Sequence, residues 1–304
     1  MSTMIALMQQ ASAEMGINVP TSVAGSTNSD IVQTLALLNA VGYELIKEHQ
    51  WQAITKEYRF TTVYYTYTGD LTAGSSSVLN LSDTTGLPSD STFMVTGSGI
   101  SQDTYLTSVS GSTGTISQSA TSSGTAVSLV FAQTKYSSPS DFDRQINRTQ
   151  FDKSKRWEML GPESAQQWQW LKSSYIATGP RVRYRLLGNY FQIWPLLSTN
   201  EYLGFEYISN KWVTSSGTTT GPDKTSFTVD TDTCVYPDRL MVLGIKLKYF
   251  SIKGFDTTDI RRDYEDQLSL AKIHDSGAAT LSFSPRPSGV LVGYENIPDS
   301  NYGT

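Results

Sequence analysis

His49, His274 and Cys234 are the whole supply of imidazole and thiol in a chain of 304 residues. A Ser/His/Asp device needs an imidazole that meets a nucleophile on one ring nitrogen and a carboxylate on the other. Each histidine falls at a predicted helix C-terminus, where its ring complements the negative end of the helix dipole, so a structural role is expected for both. Cys234 lies in a loop between Asp232 and Tyr236 with no histidine near it in sequence, and reads as a buried, inert thiol. A lone cysteine forms no internal disulfide, and with only two histidines no zinc site of ordinary Cys/His composition can be assembled. Two acidic pairs remain, Asp141 with Asp143 and Asp230 with Asp232, because a glycosidase needs only two carboxylates at the correct separation. The same Asp-x-Asp spacing is common in turns, where the side chain caps its own backbone, and that reading is preferred over catalysis or calcium binding. The glycine-bearing stretch VTGSGIS leads into more strand and not into a helix, unlike a phosphate-binding loop. No catalytic residue, cofactor site or metal ligand is expected.

Composition narrows the class further. Apolar residues make up 38% of the chain, aromatic residues 11% and charged residues only 17%, which excludes global disorder. At about 150 residues per domain the length allows two domains, or one domain carrying an insertion. The start, MSTMIALMQQASAEMG, lacks a basic segment followed by an apolar run, and no stretch of the chain is long and apolar enough to span a bilayer. Net charge is -5, which argues against bulk electrostatic coating of nucleic acid. That charge is uneven: residues 1–134 hold 9 acidic and 3 basic side chains, 135–185 hold 5 and 10, and 186–304 hold 14 and 10. The basic middle segment suits a phosphate backbone, or pairing with acidic neighbours at a subunit interface. Interspersed Asp141, Asp143, Asp152, Glu158 and Glu163 favour the second use. Interface candidates are therefore Arg144, Arg148, Lys153, Arg156 and Trp157 here. The aromatic residues Trp157, Trp168, Trp170, Trp194 and Trp212, with Tyr202, Phe205 and Tyr207, suit a core or an interface better than a sugar-binding platform.

The elements that position these residues follow from periodicity and punctuation. Met4, Leu7, Met8, Ala11 and Met15 recur at helical spacing before Gly16, predicting a helix over 4–15. Ser29 and Asp30 open a second helix running to about His49. KEYRFTTVYYTY, Lys56 to Tyr67, reads as a strand. Across 68–131, Ser and Thr fill 28 of 64 positions and no basic residue occurs, yet apolar residues keep a period of two between regularly spaced glycines. A small β module is expected there, projecting from a larger domain and joined to it where Tyr67 and Ala132 meet. A third helix is predicted over 162–175, with Trp168, Leu171 and Tyr175 on one face. RVRYRLLGNYFQIWP reads as a hairpin turning at Gly188-Asn189, with EYLGFEYISNKWV and TSFTVD as its partners. Two late helices follow, over 237–253 and 257–275. The fold class expected is α+β: a bundle of N- and C-terminal helices beside a mainly antiparallel sheet. The expected division is 1–67 plus 132–277 as the core, 68–131 as the inserted module and 278–304 as an extended tail. The tail is too apolar for a solvating linker, and Phe283, Leu291, Tyr294 and Ile297 are its interface candidates.

Several long ordered segments carry a resemblance. They are the N-terminal helix ending in MGI, QTLALLNAVGYELIKEHQWQAITKEYRFTT, SPSDFDRQINRTQFDKSKRWEMLGPESAQQWQWLK, RYRLLGNYFQIWP and FEYISNKWV. Together, over most of 1–275 apart from the insertion, they resemble the head-to-tail adaptor proteins of short-tailed bacteriophages. The Ser/Thr-rich module is similar to β domains embedded in various phage structural proteins, and NIPDSNYG to the closing segment of some adaptors. The resemblance implies a non-enzymatic ring protein, a dodecamer at the neck of the virion. It would be seated between the portal protein and the tail nozzle protein, with double-stranded DNA passing through the channel without specific binding. It implies no cofactor, no membrane and no catalytic residue. Two other classes are consistent with the composition: a receptor-binding or carbohydrate-binding tail component, and a glycan-degrading tail enzyme built on the Asp pairs.

Overall fold

A computed structural model of the chain describes residues 2–173 and 181–276. It is a mixed α+β fold with five helices and several antiparallel sheets among those residues. The helices are α1 (Met4–Met15), α2 (Ser29–Glu48), α3 (Ala165–Lys172), α4 (Asp238–Lys253) and α5 (Thr258–Ser276). α4 packs against α1, α2 and α5. Met4, Leu7 and Met8 of α1, Leu38 and Leu45 of α2, and Leu240, Met241 and Ile245 of α4 meet in one core, with Trp212 filling its centre. Trp212 lies so close to α2 that a Cβ on Gly42 would come within 2.2 Å of the indole, which is why only glycine fits there.

The predicted strand over 56–67 is two strands in two different sheets. β1 (Thr55–Thr61) ends at the buried Thr62, and β2 (Tyr64–Leu71) starts a new direction. β2 joins β3 (Ser77–Leu79), β4 (Phe93–Gly97), β5 (Leu106–Ser110), β6 (Thr113–Ile116) and β7 (Gly124–Gln133) in the order β4-β7-β2-β3-β6-β5. The two edges of this sheet meet: Val95 N donates to Thr104 O at 2.8 Å, and Met94 bridges Tyr105. The sheet thus curls into a small barrel around Leu71, Val78, Val95, Leu106, Leu129 and Phe131, and closure removes the open edges that a Ser/Thr-rich sheet would otherwise expose. The strands run from Tyr64 to Gln133, and Gln133 N donates to Val63 O at 2.9 Å at the junction. The barrel also rests on the rest of the chain, because Met94 packs with Trp168 and Leu171 of α3 and with Trp194.

The remaining strands are β8 (Lys135–Ser137), β9 (Phe142–Gln145), β10 (Phe151–Asp152), β11 (Trp157–Glu158), β12 (Arg183–Leu187), β13 (Tyr190–Trp194), β14 (Tyr202–Ser209), β15 (Val213–Thr214) and β16 (Thr233–Cys234). The β12–β13 hairpin turns at Gly188 and Asn189, both left-handed (φ 60° and 64°), as a two-residue turn of the primed type requires. Its further partner is β8, not the segment predicted. β14, the strand of EYLGFEYISNKWV, pairs instead with β1 over seven residues and with β9 and β10, while Thr225–Asp230 contains no strand. The two sheets face each other through stacked rings: Phe191 lies 4.8 Å from Phe205 of the other sheet, and within its own sheet 5.0 Å from Tyr184. The third helix starts at Ala165, later than predicted, because Ser164 and Gln167 form a reciprocal capping box there. Tyr175 and the tail 278–304 lie outside the described residues.

Candidate functional site

The acidic pairs are consumed by the fold. Asp141, before β9, is buried and accepts from Tyr207 Oη and Ser209 Oγ, both at 2.8 Å, and from Lys56 Nζ at 2.7 Å. Burial raises its pKa, but the bonds from Lys56, Tyr207 and Ser209 outweigh burial and hold the carboxyl at about 2. Asp143 pairs with Lys47 and with Arg144 Nη1 at 2.9 Å. Asp230 accepts the amides of Val23 and Ala24 at 3.0 and 2.7 Å, which fastens the α1–α2 linker. Asp232 accepts Lys224 Nζ at 2.9 Å and the amides of Thr228 and Val229 at 3.0 and 2.9 Å. All four are locked by donors of their own chain, and Asp141, Asp230 and Asp232 are held below the ordinary carboxylate range, whereas a general acid needs a proton held at neutral pH.

His49 is the C-cap of α2 and His274 lies in the last turn of α5. Asp275 Oδ2 and Ser276 Oγ do approach His49, at 3.3 and 3.2 Å, but both meet the same nitrogen, Nε2. A relay needs the two partners on opposite nitrogens, so this contact ties the end of α5 to the end of α2 and activates nothing. Burial pushes the Cys234 thiol up to about 12, away from reactivity. Among the described residues no group of three His, Cys, Asp or Glu side chains is placed to hold a metal ion.

Five of the ten basic residues of 135–185 are paired with carboxylates of the same chain. Arg144 Nη2 donates to the carbonyls of Ile46 and His49 at 2.8 and 3.0 Å and so caps α2. Lys153 pairs with Glu57, Lys155 with Glu201, Lys172 with Asp103 at 3.0 Å, and Arg183 with Glu163 at 2.6 Å. The candidates Lys153, Arg156 and Trp157 lie in the exposed stretch 153–157 that links β10 to β11, and Arg148 sits on the loop leading into β10. Arg144 is separate from them, turned to α2. Phe283, Leu291, Tyr294 and Ile297 fall outside the described residues.

A surface that the sequence reading passed over lies on the late helices. Ile252 and Phe255, at and just beyond the end of α4, are 58% and 62% exposed; Leu270 and Ile273 of α5 are 47% and 59% exposed. Of the nineteen residues of α5 only Ala271 is buried. The signal was present in the sequence, since Leu270 and Ile273 are three apart and fall off the inward face set by Ile260, Tyr264, Leu268 and Ala271. Beside Ile252 a groove of about 370 Å³ is lined by Leu37, Ala40, Leu247 and the cations Lys248 and Arg261. No family model matches the chain, and no curated protein sequence matches it.

Proposed function

We propose that the chain is a structural protein of the virion: a head-to-tail adaptor of a short-tailed bacteriophage, seated at the neck between portal and tail nozzle. In this reading it is made in the host cytoplasm and assembles as a dodecameric ring around the DNA channel. The observation that carries the reading is the contrast between apolar supply and burial on α5 and the end of α4. Four large apolar side chains there are about half exposed or more, and a helix with one buried residue gains more by being covered in an assembly. No helix among the described residues is long and apolar enough to cross a membrane. Double-stranded DNA would pass without being held, because net charge is -5 per chain and half of the ten basic residues of the middle segment are paired with carboxylates of the same chain. The domain reading belongs to the same proposal: 1–67 plus 132–277 as a helical bundle beside a sheet, 68–131 as an inserted module on the outside of the ring, and 278–304 as an extended arm. Negative-stain imaging of the purified protein with its portal tests it. Rings stacked coaxially on portals are the expected result, and separate particles at micromolar concentration would refute it.

A second reading, a carbohydrate-binding tail component, draws support from Trp170 and Trp157, which are 57% and 38% exposed. A soluble-glycan screen separates the two, since an adaptor binds no sugar.

A further inference from the structure

No lysine or arginine lies between Arg59 and Lys135, so any cation that meets the barrel comes from the rest of the chain. Two do, and both meet Tyr105, just before β5. Lys135 of β8 stands over the Tyr105 ring, its Nζ 4.1 Å from the centroid, and donates to Ser91 O at 2.9 Å. Lys172, the last residue of α3, stands 5.2 Å from the same centroid, donates to Tyr105 Oη at 3.2 Å and pairs with Asp103 at 3.0 Å. In each of these polar contacts the cation belongs to the core, and its partner, Ser91, Asp103 or Tyr105, belongs to the barrel. Beside them Met94 and Tyr105 of the barrel pack with Trp168, Leu171, Trp194 and Leu196. That apolar contact is imperfect, because Trp168 Nε1 is buried with no acceptor among the described residues.

The covalent attachment of the barrel is narrow. The chain crosses at Thr62–Val63 and at Gln133–Thr134, and Gln133 N donates to Val63 O at 2.9 Å, so the two crossings lie side by side and act as one hinge. A module attached in this way turns relative to its host unless a specific contact opposes the motion. We infer that Lys135 and Lys172 clamp the barrel at one angle to the core, and that the barrel swings on its stem when the clamp is released. A cation is held over the face of an aromatic ring, and two cations from two elements, β8 and α3, fix the direction of the Tyr105 ring as well as its distance. Hydrophobic attraction is non-directional, so the apolar contact beside them does not set the angle. The repulsion between the two ammonium groups is offset by Asp103, the one carboxylate paired with either of them among the described residues. Lys172 is the positioning residue of the pair, since it alone joins the ring, the phenol oxygen and the carboxylate. Release would uncover Met94, Trp168 and Trp194, all buried while the clamp is closed. The clamp belongs to the single chain and stands whether or not the chain forms a ring.

The test is a distance measured across the hinge in the full chain. Spin labels are placed at Ser112→Cys, in the exposed turn between β5 and β6, and at Asp266→Cys, exposed on α5, while Cys234 is buried and stays unlabelled. Pulsed electron double resonance should give a single narrow distance when no other residue is changed. Lys135→Met with Lys172→Met keeps the aliphatic stems and removes both ammonium groups; the expected result is loss of the single distance to a broad distribution. Lys172→Met alone should broaden it less, and Lys172→Arg should keep it narrow. A narrow, unshifted distance in the double variant would overturn the clamp, and so would a broad distribution with both lysines in place. If the double variant does not fold, Asp103→Asn with Tyr105→Leu removes the partners from the barrel side, with the same two outcomes. Asparagine tolerates the left-handed backbone of residue 103, φ 59°.

Discussion

The barrel and the late helices handle their surfaces in opposite ways. In the barrel the strands close on each other, and small polar side chains are bonded within it: Thr104 Oγ1 donates to Ser101 O at 2.6 Å, Thr92 Oγ1 to Asp90 Oδ1 at 2.6 Å, and Ser89 Oγ accepts Val109 N at 3.2 Å. Such local bonds satisfy a Ser/Thr-rich chain without any partner. The helices α4 and α5 show the reverse, a shared core on one side and exposed Ile252, Phe255, Leu270 and Ile273 on the other. A region that satisfies itself is suited to decoration, and a region left half-covered is suited to assembly.

The largest expected effect breaks the helical side alone. Leu243 of α4 is 3% exposed, and Leu243→Asp would bury an unpaired charge at a cost of several kcal/mol, on the order of the stability of a domain. Helical circular dichroism should collapse while the barrel keeps its β signal; retention of a cooperative helical transition would contradict the packing of α4. Phe131→Ala attacks the other side. Its fully buried ring at the barrel centre should cost about 3–5 kcal/mol and lower the melting transition of the barrel, with helical content unchanged. Gly42→Ala is smaller, because the new methyl meets the rigid Trp212 ring and overpacking of this kind costs about 1–3 kcal/mol. Calorimetry should show that loss in the helical transition and leave the barrel transition in place.

Asp141 supplies the pH dependence of the sheets between these two regions. Its folded pKa, about 2, lies below the ordinary 3.8, so its contribution is complete above 3.8 and is lost as pH falls through about 2. Asp141→Asn should therefore cost about 2 kcal/mol at neutral pH and little at pH 2, read as urea midpoints at the two pH values. Equal losses at both would mean that packing, not ionisation, accounts for the site.

How much of this was legible in the sequence depended on the range of the interaction involved. Predicted helix ends at 15, 49, 253 and 275 fall within a residue of the observed ends of α1, α2, α4 and α5, because apolar spacing, Gly16 and Gly254 are local signals. The Gly188-Asn189 turn was legible for the same reason. The partner of β14 was not: pairing Thr55 with Ile208 joins residues far apart in sequence, and nothing local in either segment specifies the other. The break at Thr62 carries no local signal because its neighbours on both sides have strand chemistry, and the change of sheet is held by the distant Thr199 and Glu201.

Hydrogen exchange measured by mass spectrometry on the protein alone and again with the portal protein proposed as its partner tests the central contrast most directly. The account predicts that protection rises over α5 and Ile252–Phe255 on assembly, while the strands of the barrel exchange alike in both states. Unchanged exchange in α5, with new protection confined to the barrel, would contradict it.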